Sequence, residues 1–138
     1  MMESFELRQA LGKLEAIEGR TFTDTELDAW RAVLGTHASE DIAAAVVAFH
    51  SNPYKRPAYP GDIKALIVEV EDVRLRRCGT VEANEADLEG ASRRAANARL
   101  RTLIATGQWT ASDYREYRRS KLSIDGFMSA KGALPVGS

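Results

Sequence analysis

Two histidines, one cysteine and a dense run of arginines are the residues of this 138-residue chain with chemistry to offer. His37 and His50 each stand beside a helix end, where a histidine usually caps or faces solvent. Acid–base work needs a second group within reach of the first, and neither histidine has an HExxH or Cys/His companion. Gly-rich phosphate loops, GxGxxG and GxSxG are absent. Glu15/Glu18 and Glu82/Glu85 fall on expected solvent faces. Cys78 follows Arg76 and Arg77, a setting that lowers a thiol pKa, but it has no His or Asp partner. A single cysteine forms no intramolecular disulfide and closes no Cys-based metal site. The expectation is therefore a protein without catalytic residues, metal, cofactor or small-molecule substrate.

The arginines make the stronger case. Arg93, Arg94, Arg99, Arg101, Arg115, Arg118, Arg119 and Lys121 share their stretch with only Asp113 and Glu116. A solvated helix face is the plain reading. The sharper one is a contact surface for nucleic acid or for an acidic protein. Leu103, Ile104, Trp109, Tyr114 and Tyr117 lie among the cations. As exposed groups they would supply buried contact with a partner, or stack on single-stranded bases; as internal groups they would pin a helical hairpin. A helix-turn-helix reading of the second and third helices is poor, because Asp41-Ile42-Ala43-Ala44-Ala45-Val46 offers no Arg, Asn or Gln to base edges.

The elements that must position these residues are helical. Leu7, Ala10, Leu11, Leu14 and Ile17 fall on one stripe, and Gly19 stops that helix. Thr23 and Glu26 have capping-box spacing ahead of a helix that turns Leu27, Trp30, Val33 and Leu34 inward; Gly35 ends it. Ser39 is the expected cap of a third helix carrying Ile42, Ala45, Val46 and Phe49. Pro53, Pro57 and Pro60 make residues 51–60 a loop, with Tyr54 and Tyr59 as anchors. A fourth helix carries Ile63, Leu66, Ile67, Val70 and Val73 toward Gly79. Beyond residue 80 the order of acidic then basic residues predicts one helix over 82–105. Its apolar side is Ala91, Ala95 and Ala98, so it has little to bury. Thr110 to Asp113 can cap a further helix with Tyr114, Tyr117 and Leu122, and the last dozen residues are expected to fray.

The reading is all-α: a four-helix scaffold over residues 1–79, with an appended helical hairpin or extended basic helices over 80–138. Hydrophobic residues make up 44% and aromatics 7%, which suits closely packed helices with an aliphatic core. The net charge of -1 gives no general affinity for polyanions, so the local arginine run carries that argument alone. No signal peptide or membrane span is read, and the expected compartment is the cytoplasm.

The first half resembles the phage replicative-helicase loader/inhibitor family, including short loader-like proteins of actinobacterial phages. The likeness lies in a layout: Glu18-Gly19-Arg20-Thr21 after the first helix, Ala29-Trp30 in the second, Phe49-His50 closing the third, and Tyr59-Pro60-Gly61-Asp62-Ile63 opening the fourth. It covers residues 5–77, with Arg20, Trp30, Phe49, Tyr59, Pro60 and Ile63 as its structural positions. The resemblance implies a compact helical first part and a second part that engages a hexameric replicative helicase. It also implies delivery of the helicase to origin DNA through an origin-binding initiator protein, and restraint of the helicase until then. The expected function is thus a non-enzymatic adaptor of phage DNA replication, acting in the host cytoplasm, with weak DNA contact. The alternative is a small DNA-binding regulator using the same basic helices, and a third reading is a homo-oligomer that swaps its appendage.

Overall fold

The computed structural model describes residues 2–51 and 56–132, and they are helical, with no strand among them. The helices are α1 (Ser4–Ala10), α2 (Gly12–Glu18), α3 (Asp24–Leu34), α4 (Ser39–His50), α5 (Pro60–Cys78), a 3-10 turn at Glu85–Glu89, α6 (Arg93–Ala105), α7 (Ala111–Ser120) and α8 (Ile124–Gly132). Pro53 and Tyr54 lie outside the described residues. The chain forms two compact units, Met1–Val70 and Glu71–Ser138. The division falls inside α5, rather than at residues 79–80 where the composition changes.

In the first unit the expected first helix is broken. Leu11 takes φ -91° and ψ 2° between α1 and α2, so the stripe bends and Ile17 emerges 53% exposed. Leu7, Leu11 and Leu14 are fully buried. Their helices pack on α3 and α4, with α1 against both and α2 against α4. Thr23 and Glu26 form the capping box that opens α3. Gly19 closes α2 in the left-handed region at φ 66°, a conformation that costs a side chain but not glycine. The N-cap of α4 is Ala38, not Ser39, which is already helical. Trp30 meets Phe22 edge to face at 5.2 Å, and Ile42, Val46, Ile63 and Ile67 complete the core.

The second unit departs further from expectation. The single helix over 82–105 does not form: residues 80–92 are irregular apart from the 3-10 turn, and α6 starts at Arg93 behind a Ser92 side-chain cap. Asn84, Gly90 and Ser92 are residues that compete with helix continuation. The buried side of α6 is Ala96, Leu100, Leu103 and Ile104, while Ala91, Ala95 and Ala98 face solvent. Of the last dozen residues, expected to fray, 127–132 are helical within α8, which turns Ile124 and Phe127 inward, and 133–138 lie outside the described residues. Leu122 itself is 42% exposed. A second hydrophobic core results, built from Val81, Ala83, Leu100, Leu103, Ile104, Trp109, Tyr114, Tyr117, Ile124 and Phe127 among others. Burial of so many large side chains, at roughly 1.5–3 kcal/mol each, makes this a core in its own right and not a bare appendage. Among the described residues no single helix is long and apolar enough to cross a membrane.

Candidate interaction surface

The apolar residues expected to meet a partner are internal. Leu103, Ile104, Trp109, Tyr114 and Tyr117 are all buried, and the rings contact one another: Trp109 lies 5.3 Å from Tyr117 and 5.2 Å from Phe127. Stacking on single-stranded bases or insertion into a partner would require this core to open. The charge-rich sequence around them concealed this. Tyr114 and Tyr117 are one helical turn apart, and the rings of Trp109 and Phe127 that cover Tyr117 come from outside α7.

The tyrosine hydroxyls hold the irregular 80–92 segment. Tyr117 accepts a hydrogen bond from the Asn84 backbone N–H at 2.7 Å and donates to Asp87 Oδ2. Burial pushes the Tyr117 hydroxyl well above its ordinary range. Tyr114 accepts from the Glu82 N–H at 2.9 Å. The Asn84 amide donates to the carbonyls of Tyr117 and Leu122, and Asp87 accepts from the Ile124 N–H. Capping of α7 by Thr110 and Asp113 follows the spacing read from the sequence.

The expected cationic residues divide into two groups. Arg118 is a structural group: its Nη1 donates to the carbonyls of Glu82 and Ala83 and to Asn84 Oδ1 at 3.0–3.2 Å. Arg99 is held by Asp125 through two hydrogen bonds of 2.6 and 3.2 Å. In contrast, Arg93, Arg94, Arg101, Arg115 and Arg119 are exposed and form no ion pair with a described residue. Arg94 and Arg101 are seven residues apart, on one flank of α6; Arg115 and Arg119 are four apart, on one flank of α7. Glu71–Ser138 holds twelve cations and nine carboxylates, against seven and eleven in Met1–Val70. The chain is near neutral only as a total.

Cys78 does not have an activated thiol. Burial pushes its pKa up, and the nearby Arg115 offsets that only in part. In the first unit Glu18, expected on a solvent face, is enclosed. The Glu18 side chain, 6% exposed, lies 2.7 Å from His50 Nε2 and accepts from the Ala58 N–H at 2.8 Å. Arg20 Nε is 3.0 Å from Glu18 Oε1, in ion-pair contact but out of line for a hydrogen bond. Arg20 also lies 4.5 Å from the Phe22 ring centroid and donates to the Ala58 carbonyl. Glu18 thus joins the ends of α2 and α4 to the segment before α5. Its burial depends on a fold that sequence spacing did not reveal.

Of the other positions in the family-like layout, Trp30 and Ile63 are buried, and Phe49 is half-buried against the core. Pro60 takes the first helical position of α5, where its missing donor is harmless. Tyr59 is 66% exposed, with the Arg56 guanidinium 5.7 Å from its ring. Among the described residues no group of three or more His, Cys, Asp and Glu is placed to hold a metal ion. Comparison of the chain with protein-family models, with curated proteins and with solved structures finds no match.

Proposed function

We propose that the protein is a non-catalytic adaptor that engages an acidic macromolecular partner through the exposed flanks of α6 and α7. The observation that carries this reading is that Arg94, Arg101, Arg115 and Arg119 are solvent-exposed without a carboxylate partner. Their helices bury the opposite faces in the core. Such a surface attracts negative charge and speeds encounter more than it supplies affinity by burial. The partner proposed is a replicative helicase, on the layout resemblance of residues 5–77, with loading or restraint at an origin as the outcome.

The test is co-purification of tagged full-length protein from its host, with partners identified by mass spectrometry. It is run beside a variant in which Arg94, Arg101, Arg115 and Arg119 are changed to Glu. Arg118 is left intact, because its bonds to residues 82–84 hold the fold. Recovery of a helicase with the native chain and not with the variant supports the adaptor. Equal recovery with both refutes the surface assignment. Recovery of nuclease-sensitive nucleic acid alone shifts the reading to a DNA-binding regulator, which the uncompensated cations also suit. That binder would lose affinity with salt at a logarithmic slope of about -0.9 per phosphate contacted.

A further inference from the structure

A pocket of about 320 Å³ in the second unit is lined by Glu82, Ala83, Asn84, Glu85, Arg93, Arg118 and Lys121. Three cationic side chains therefore converge on one concavity. The Arg118 guanidinium is fixed there, because Nη1 is taken up by the carbonyls of Glu82 and Ala83 and by Asn84 Oδ1. Its Nη2 and Nε groups make no hydrogen bond to a described residue. A guanidinium oriented through one nitrogen, with its other donors open, is prepared to bind an oxyanion.

The two other cations hold positions that are unfavourable for folding. Lys121 caps α7 at φ 60°, the one positive-φ residue other than glycine among the described residues. A Cβ crowds the following carbonyl oxygen there, and Gly or Asn is the usual occupant. Arg93 opens α6, whose first turn has no acidic residue. A cation at that end opposes the helix dipole. Local choices that work against stability and meet at one pocket are the mark of a site kept for binding. Glu82 and Glu85 line the same pocket, yet among the described residues neither forms an ion pair with the three cations. The cations are not neutralised, and the pocket carries a net formal charge of one positive.

We propose that this pocket seats a single phosphate group, with Arg93, Arg118 and Lys121 as its donors. The small net charge matches the one negative charge of a phosphodiester. It does not match the several charges of a free nucleotide, which Glu82 and Glu85 would repel. The phosphate of a nucleic-acid backbone is therefore the favoured source. This inference stands apart from the adaptor reading, since it uses none of the four arginines on which that reading rests.

The experiment measures binding of the full chain to a fluorescent single-stranded and a duplex oligonucleotide by anisotropy across a salt series. A parallel arm follows thermal unfolding with inorganic phosphate. The variant is Arg93→Gln with Lys121→Asn, which leaves Arg118 and its bonds in place. Asn accepts the left-handed conformation and Gln removes the misplaced cation, so the variant's melting temperature should be equal or higher. The expected result is at least tenfold weaker oligonucleotide binding, with the salt slope reduced by about one, as for the loss of one phosphate contact. Protection of the native chain by inorganic phosphate, lost in the variant, without oligonucleotide binding would support the pocket and assign it a free phosphate. Equal oligonucleotide binding by native and variant chains, or no response to either probe, would overturn the proposal.

Discussion

Tyr117→Phe isolates the contribution of one hydroxyl to the second unit. The ring is kept, so its contacts with Trp109 and Phe127 persist and no large cavity forms. Two partners are lost. The Asn84 N–H belongs to a residue 5% exposed, so water does not replace the bond, and a buried unsatisfied donor costs about 1–3 kcal/mol. Asp87 is only half-buried, so water can serve its oxygen and the loss there is small. The expected destabilisation is about 2 kcal/mol. For a unit of this size that corresponds to roughly 8–16 °C in melting temperature. Each unit holds one tryptophan, Trp30 in the first core and Trp109 in the second. Fluorescence-monitored unfolding in a Trp30→Phe background therefore reads the second unit alone. A shift under about 3 °C would refute the reasoning, because it would mean that water reaches Asn84 or that the segment is held by other bonds.

Two further outcomes follow from the ion pairs. Glu18→Ala leaves the Ala58 N–H without its acceptor and Arg20 without its carboxylate, so it should cost about 3 kcal/mol. A double-mutant cycle with His50→Ala should show coupling above about 0.5 kcal/mol; strict additivity in denaturant midpoints would count against a shared cluster. Acid should weaken the second unit through Asp113 and Asp125. Burial pushes the Asp113 carboxyl up, but hydrogen bonds from Lys131 and Thr110 outweigh it and hold the value below the ordinary Asp range. The Arg99 guanidinium lowers Asp125 in the same direction. A depressed folded value means a contribution that is complete above the ordinary Asp range and is lost as pH falls through the depressed value. Melting temperature read through Trp109 should therefore decline below about pH 4. Asp113→Asn should flatten that decline, and an unchanged pH profile would contradict it.

The helices that the sequence makes plain are those bounded by local chemistry. The boxes at Thr23 and Thr110 and the stops at Gly19, Gly79 and Gly107 are settled within four or five residues. These glycines all adopt positive φ. What lay beyond reach was decided by partners far along the chain. Nothing near Leu11 announces the break between α1 and α2, which follows from packing on α3 and α4. Residues 82–92 have helix-like charge order, yet the backbone donors of Glu82, Ala83 and Asn84 go to the side chains of Tyr114, Asn97 and Tyr117 instead. The aromatic residues among the arginines looked exposed because charge dominates α7. Only the recurrence of large apolar residues through Phe127 hinted at a core.

The same hydroxyl network has a consequence for the timing of synthesis. The bonds that fix Glu82, Asn84 and Asp87 reach forward by 30 to 38 residues. They leave a loop to be closed before they stabilise anything, and such loops slow folding. A growing chain that has exposed Val81 to Ala105 but not yet Tyr117 and Phe127 holds an α6 with an uncovered apolar face. The first core needs nothing beyond Ile67 and can close while translation continues at its usual pace. The second must wait for α7 and α8, and in that interval its apolar face is open to aggregation.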